Sequence, residues 1–319
     1  MQTWGGTDWI DLSTGINRVP YPLPDLPASA WTNLPGHSAT QALIASARAA
    51  YGTTAPIAVL SGAQGAIQLI PHLGTRGSAR VLSPTYNEHA AALRLAGWQV
   101  DEVTTLAALT GADLAVVVNP NNPDGRLHDR AALLRLSDKV GRLVVDESFA
   151  DPAPAQSLAG QALASQSLAG QAGRPGLIVL RSFGKFYGLA GLRLGFALGS
   201  EQDIARLTAL AGPWPVAGAA LEIGTRALSD RAWQEATSLR LASEAEALDR
   251  IAASFGLQLV GGTALFRTYD TPDATRAQDH LARNRIWSRI FPYSSRWLRL
   301  GLPGNPTEWA RLASAGESE

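Results

Sequence analysis

Between about residues 55 and 200 the chain alternates short apolar runs with amphipathic segments, and this alternation restricts its fold more than any other feature. Ile57-Ala-Val-Leu60 reads as a strand, with Gly65 to Leu73 as the helix after it. Arg80-Val-Leu82 precedes a helix over Asn87 to Ala96, which Gly97 is placed to terminate. Trp98 to Val103 and Asp113 to Val118 read as strands, Asp129 to Asp138 as a helix, and Arg142 to Val145 as a strand ending at Asp146. Gly176 to Leu180 and Gly191 to Leu198 complete the series. Such an order predicts an α/β fold with a mostly parallel sheet and helices on both faces. Ligands of these sheets collect beyond the carboxyl ends of the strands.

After Pro213-Trp-Pro-Val216 the character changes. A helical region over about Ala217 to Phe255 leads into apolar runs at Leu257–Val260, Ala264–Thr268 and Trp297–Leu300, the pattern of a smaller α+β domain. The expected division is an N-terminal arm (1–30), a large domain (31–212) and a small C-terminal domain (213–319). One stretch repeats: Gln156-Ser-Leu-Ala-Gly-Gln-Ala162 recurs as Gln166-Ser-Leu-Ala-Gly-Gln-Ala172. Two copies are too few for a solenoid and read as a surface loop or short helix without catalytic meaning.

A net charge of zero gives no argument for nucleic acid or an anionic membrane as partner. Absence of cysteine excludes disulfides, thiolate metal sites and a cysteine nucleophile. The five histidines (His37, His72, His89, His128 and His280) are scattered without metal-ligand spacing, so no metal is expected and each reads as chance placement. The first residues lack a basic segment followed by an apolar one, and no apolar run approaches membrane-spanning length; a cytoplasmic protein is expected.

Charge composition does single out one residue. Of 27 cationic side chains only two are lysines, Lys139 and Lys185. Where arginine has replaced lysine almost throughout, a retained lysine points to work that arginine cannot do. A guanidinium stays protonated, whereas a lysine amine can lose its proton and form a Schiff base. Lys139 fits a solvated face. Lys185 lies among glycines and apolar residues in Ser182-Phe-Gly-Lys185-Phe-Tyr-Gly-Leu-Ala-Gly-Leu-Arg193.

Three further segments stand at strand ends. Leu60-Ser-Gly-Ala63-Gln64-Gly65 offers free backbone N–H groups at a helix start, suited to a phosphate, although glycines at such corners equally serve tight turning. Asn119-Pro-Asn-Asn122-Pro-Asp-Gly125 has turn-forming composition but also sets three amides at the ligand edge. Val144-Val-Asp146-Glu147-Ser-Phe149 puts two carboxylates at the end of a buried strand, where each needs a cation or a protonated ring nitrogen. A structural salt bridge would satisfy Asp146 as well.

In this order, the glycine turn, Asn-Pro-Asn-Asn-Pro-Asp-Gly, Asp-Glu-Ser-Phe and Ser-Phe-Gly-Lys with Arg193 resemble the fold-type-I pyridoxal-phosphate enzymes of the aspartate aminotransferase superfamily over almost the whole chain. The resemblance implies a large domain with a mostly parallel mixed sheet, a smaller α+β domain, and a homodimer. It implies Lys185 as the lysine that links covalently to pyridoxal 5'-phosphate, Asp146 at the pyridine nitrogen, Asn122 at the phenolic oxygen and Tyr86 stacked on the ring. Ser182, Arg193 and the backbone of Ala63 and Gln64 would hold the phosphate. Arg299, in Trp-Leu-Arg-Leu-Gly, and Asn17, in Asp11-Leu-Ser-Thr-Gly-Ile-Asn17, would bind substrate. Within the superfamily the chain looks most like the threonine-phosphate decarboxylases of cobalamin synthesis, which implies a phosphorylated amino acid as substrate. Arg18 and Arg181 are candidates for its phosphate. The alternatives are an aminotransferase on a substrate such as histidinol phosphate and a non-catalytic regulator. For a DNA-binding regulator too few residues precede Gly62 and the basic surplus is absent. Two positions depart from the aminotransferase pattern: Phe149 stands where a tyrosine is usual, which is compatible with a decarboxylase. Leu34 stands where histidinol-phosphate aminotransferases carry a tyrosine that reaches the partner subunit's cofactor.

Overall fold

A computed structural model describes residues 5–151 and 167–316. The first copy of the repeat lies outside the described residues, as does the start of the second; Ala169–Gln171 of the second copy form a single 3-10 turn.

Seven strands form the main sheet in the order Ile57–Ser61, Leu194–Leu198, Leu177–Ser182, Leu143–Asp146, Leu114–Val118, Ser78–Leu82, Gln99–Val103. Strand pairing is parallel from Gln99–Val103 through to Leu177–Ser182, while Leu194–Leu198 runs antiparallel to both its neighbours. The four strands from Leu114 to Leu198 have no exposed residue, the mark of a sheet covered on both faces. Side chains alternate between two apolar layers. Leu177, Val179, Leu143, Val145, Ala115 and Val117 pack on one face, with Leu43 and Ala47 of the helix His37–Tyr51. Ile178, Leu180, Val144, Leu114 and Val116 pack on the other, with Ala66 and Ile67 of the helix Gly62–Leu69 and with Leu93, Ile204 and Leu207.

The helix after the first strand begins at Gly62 rather than Gly65, because Gly62 at φ 71° turns the chain directly from strand into helix. The helical region after residue 217 is two helices, Gly218–Ser229 and Arg231–Ser254. Asp230 breaks it and caps the second, its carboxylate accepting from the Trp233 N–H at 3.0 Å. Helices at His37–Tyr51, Glu201–Ala211, Ala274–Arg283 and Pro306–Ser314 fill stretches that the alternation left unassigned.

A second, antiparallel sheet has the order Arg289–Phe291, Ser294–Gly301, Phe266–Asp270, Gln258–Thr263. Ile10–Asp11 pairs in parallel with Ile286–Trp287, so the N-terminal segment is stitched to the C-terminal part of the chain. Among the described residues no helix is long and apolar enough to cross a membrane.

Candidate active site

Six strands of the main sheet end at one edge, and the antiparallel strand Leu194–Leu198 begins there. Ser61 is in register with Leu194, and Ser182 with Gly195. That pairing brings Gly62-Ala63-Gln64, Ser182 and Arg193 together from three separate stretches of sequence. Asp146 ends the next strand and Asn122 follows the one beyond. Ala63, Gln64, Tyr86, Asn122, Asp146, Ser182, Lys185 and Arg193 all line one cavity of about 170 Å³.

Where Gly62 and Ala63 line this cavity, backbone packs against backbone. A Cβ on Gly195 would lie 2.3 Å from the Ala63 nitrogen and from the Gly62 carbonyl carbon, so strand and helix start touch main chain to main chain. The first turn of the helix has no side-chain cap, leaving its N–H groups for a ligand. Arg193 adopts a left-handed conformation (φ 53°, ψ 49°), an uncommon geometry for a non-glycine residue, and carries its guanidinium up to Gly62. Gly195→Ala should force the helix start off the sheet. The expected result is a stability loss of about 1–3 kcal/mol together with weakened binding of any anion at the helix start, read by thermal unfolding and ligand titration.

Asp146 is 2% exposed. Its Oδ2 shares a 2.8 Å hydrogen bond with His89 Nε2, and its Oδ1 accepts from the Ser148 N–H at 2.9 Å and from the Ser148 hydroxyl. Burial pushes the carboxyl upward, but the His89 and Ser148 contacts outweigh it and hold Asp146 below the usual carboxylate range. A buried, ionised carboxylate with lone pairs to spare suits a protonated ring nitrogen. His89, read from sequence as chance placement, is the residue that orients it. The available signal was its position three residues after Tyr86, on the helix that leaves the strand end. Tyr86 and His89 meet edge to face at 6.3 Å.

Lys185 Nζ lies 5.6 Å from the centre of the Phe149 ring. Burial, then the Arg299 charge, depress its pKa; Asp146 acts in the opposite sense and Arg193 adds to the depression. The neighbouring Glu147 carboxylate is not available to the cavity. It accepts from Arg181 Nη1 at 2.8 Å, from the Ser167 hydroxyl at 2.7 Å and from the Leu168 N–H.

Arg299 reaches the cavity through Asn122, whose Oδ1 accepts from Arg299 Nη1, while Nη2 donates to the Ser13 carbonyl at 2.6 Å. The guanidinium is buried near the Phe266 and Phe291 rings, and its Nε has no hydrogen-bond partner among the described residues. Burial, and the Arg289 charge after it, lower its pKa to about 10. Arg289 stands directly opposite Arg299 on the adjacent antiparallel strand. Like charges in register repel, and neither arginine forms an ion pair among the described residues. Arg289 escaped the sequence reading because its partner becomes visible only with strand register.

The other candidates lie elsewhere. Arg181 is buried, its fork taken up by Glu147 and Asp151 and its face packed on Tyr51. Arg18 pairs with Glu308 and donates to the Asp11 carbonyl at 3.1 Å. Asn17 does not line the cavity; its amide is spent on Phe186, Arg240 and Val19.

Residues 30–315 match the family described as aminotransferase class I and II. The chain is 42% identical over 315 residues to a threonine-phosphate decarboxylase of Pseudomonas aeruginosa, covering 97% of this chain and 91% of that one. It is 34% identical over 253 residues to a histidinol-phosphate aminotransferase of Mycobacterium bovis, covering 74% and 66%. Among solved structures, histidinol-phosphate aminotransferase of Sinorhizobium meliloti in complex with pyridoxal-5'-phosphate superposes with a TM-score of 0.79 at 21% identity, covering 97% of this chain and 91% of that one. The architecture is therefore the fold-type-I one that the motifs implied.

Proposed function

Because this chain belongs to the class I and II aminotransferase family, we propose that it is a pyridoxal-phosphate-dependent decarboxylase of L-threonine O-3-phosphate. The products are (R)-1-aminopropan-2-ol O-2-phosphate and carbon dioxide, in cobalamin synthesis. We place it in the cytoplasm as a homodimer. The observation that carries this reading is the 42% identity, over 97% of the chain, to a threonine-phosphate decarboxylase. The cavity supports it chemically, since its donors suit the phosphate and phenolic oxygens of the cofactor and the Asp146 carboxylate suits the protonated ring nitrogen.

When bound, pyridoxal phosphate supplies a carbonyl for covalent attachment and a protonated ring that draws electrons from the substrate Cα. In this reading Ser182, Arg193 and the N–H groups at Ala63 and Gln64 hold its phosphate. Asp146 keeps the ring nitrogen protonated, Asn122 bonds the phenolic oxygen and Tyr86 covers the ring face. Arg299 orients the substrate carboxylate with a planar fork suited to two oxygens. Arg289, set beside it by strand register, meets the substrate phosphate, so one dianion and one carboxylate relieve the repulsion between the two arginines. The bond from Cα to the carboxyl carbon breaks and carbon dioxide leaves. The electron pair remains with Cα, which takes its proton from Lys185 Nζ.

Purified protein reconstituted with pyridoxal phosphate should release carbon dioxide from L-threonine O-3-phosphate with no 2-oxo acid present. Turnover that requires 2-oxoglutarate would mean an aminotransferase and overturn the proposal.

A further inference from the structure

The helical turn that carries Lys185, Phe183–Phe186, is four residues long. A single turn contributes little rigidity by itself, and here two segments remote in sequence grip it from outside. On one side is the N-terminal arm. The Asn17 N–H donates to the Lys185 carbonyl at 3.0 Å, and the Tyr21 N–H to the Tyr187 carbonyl at 2.9 Å. Asn17 Nδ2 donates to the Phe186 carbonyl at 2.9 Å.

On the other side is the long helix Arg231–Ser254. Trp233 stacks on Tyr187 at 5.6 Å and meets Phe186 and Tyr21 edge to face at 5.4 and 5.1 Å. Gln234 Nε2 donates to the Tyr187 hydroxyl at 3.1 Å. Arg240 joins the two sides: its Nη2 donates to Asn17 Oδ1 at 2.8 Å, while its Nη1 is anchored by Glu244 at 2.6 Å. Asn17 is 2% exposed, and its Oδ1 also accepts from the Val19 N–H at 3.1 Å. Every polar group of this side chain therefore bears on the arm or the lysine turn.

We propose that Asn17 is a positioning residue for Lys185 and that Arg240 fixes Asn17 in that role. The arm and the helix Arg231–Ser254 thereby form a clasp on the lysine turn. The proposal rests on the reading of Lys185 as the cofactor-bearing lysine. Amine placement matters because small errors in reacting geometry cost large factors in rate, and loosening the clasp displaces Nζ without removing any group that touches substrate.

The test uses the holoenzyme and two readouts: steady-state turnover of L-threonine O-3-phosphate, and the pH titration of the bound cofactor's visible absorbance without substrate. Asn17→Ala is expected to lower kcat on the order of tenfold. KM should stay within about twofold, as for a loss that does not touch ground-state binding. The pH midpoint of the substrate-free absorbance should move. Arg240→Met should shift both readouts in the same direction, Arg240→Lys should restore them in part, and the Asn17→Ala/Arg240→Met double variant should be no worse than Asn17→Ala alone. A raised KM with unchanged kcat and unchanged substrate-free titration would make Asn17 a substrate ligand and overturn the proposal, as would an Arg240→Met enzyme identical to wild type. Should Asn17→Ala fail to fold, the contrast between Arg240→Met and Arg240→Lys decides the question by the same criteria. A colourless wild-type enzyme would instead refute the reading of Lys185 itself.

Discussion

Lys185→Arg is expected to abolish turnover, by roughly six orders of magnitude on the scale set by loss of a covalent catalytic group, while the protein stays folded. Arginine keeps the length and the positive charge, so any role for Lys185 as a simple cation beside Asp146 would survive the change. A guanidinium cannot lose its proton and attack a carbonyl. Borohydride reduction of the wild-type holoenzyme followed by mass analysis should find the cofactor on the peptide containing Lys185, and the variant should carry none. The site also fixes a pH dependence. Burial and the charges of Arg299 and Arg193 hold the Lys185 amine below the ordinary lysine range. The reactive neutral form grows as pH rises through that lowered value. Attachment of cofactor to apoenzyme should therefore reach half its maximal rate at a pH below that of an unperturbed lysine. Arg299→Leu removes one of the depressing charges and should move that midpoint upward.

The second large effect is expected at Asp146. Asp146→Asn preserves shape and one carbonyl oxygen, so the Ser148 and His89 contacts are partly retained and the melting temperature should change little. The negative charge is lost from a site where it stands 2% exposed. With no anion at position 146, a cofactor ring nitrogen held there would lose its proton, and its pull on electrons would weaken. Removing one preorganised electrostatic group of this kind costs on the order of 10²–10³ in kcat, and steady-state assays of the variant should show a loss of at least that size. His89→Ala should produce a smaller fall in the same direction. It leaves the carboxylate in place but frees its orientation and removes the contact that holds it ionised.

The strands were legible along the chain because buried parallel strands read as continuous apolar runs, as in Asp113–Val118 and Gly176–Leu180. The direction of Leu194–Leu198 was not read. A parallel strand needs a crossover of a dozen or more residues, and only Phe183 to Arg193 separate it from the strand before. It therefore turns back, and this reversal is what delivers Arg193 to the cavity edge. Eight of the residues that line the cavity, from Ala63 to Arg193, were named in advance because they stood in motifs at strand ends, where type and position agree. Residues that act through register or through distant segments left no such mark. Arg289 gains meaning only opposite Arg299, His89 only against Asp146, and Arg240 only at Asn17. Arg18 and Arg181 had the right charge in nearby sequence, but Glu308, Glu147 and Asp151 occupy their guanidinium groups. Charge alone does not reveal a partner that folding supplies.

In the proposed reaction the bond between Cα and the carboxylate breaks and Lys185 returns a proton to Cα. Both parts are read at once by running the reaction on L-threonine O-3-phosphate in heavy water, without a 2-oxo acid, and taking the NMR spectrum of the product. Decarboxylation should yield aminopropanol phosphate with a single deuterium on the carbon that bore the carboxylate. A product that keeps its carboxylate as a 2-oxo acid, formed only when an amino-group acceptor is added, would contradict it.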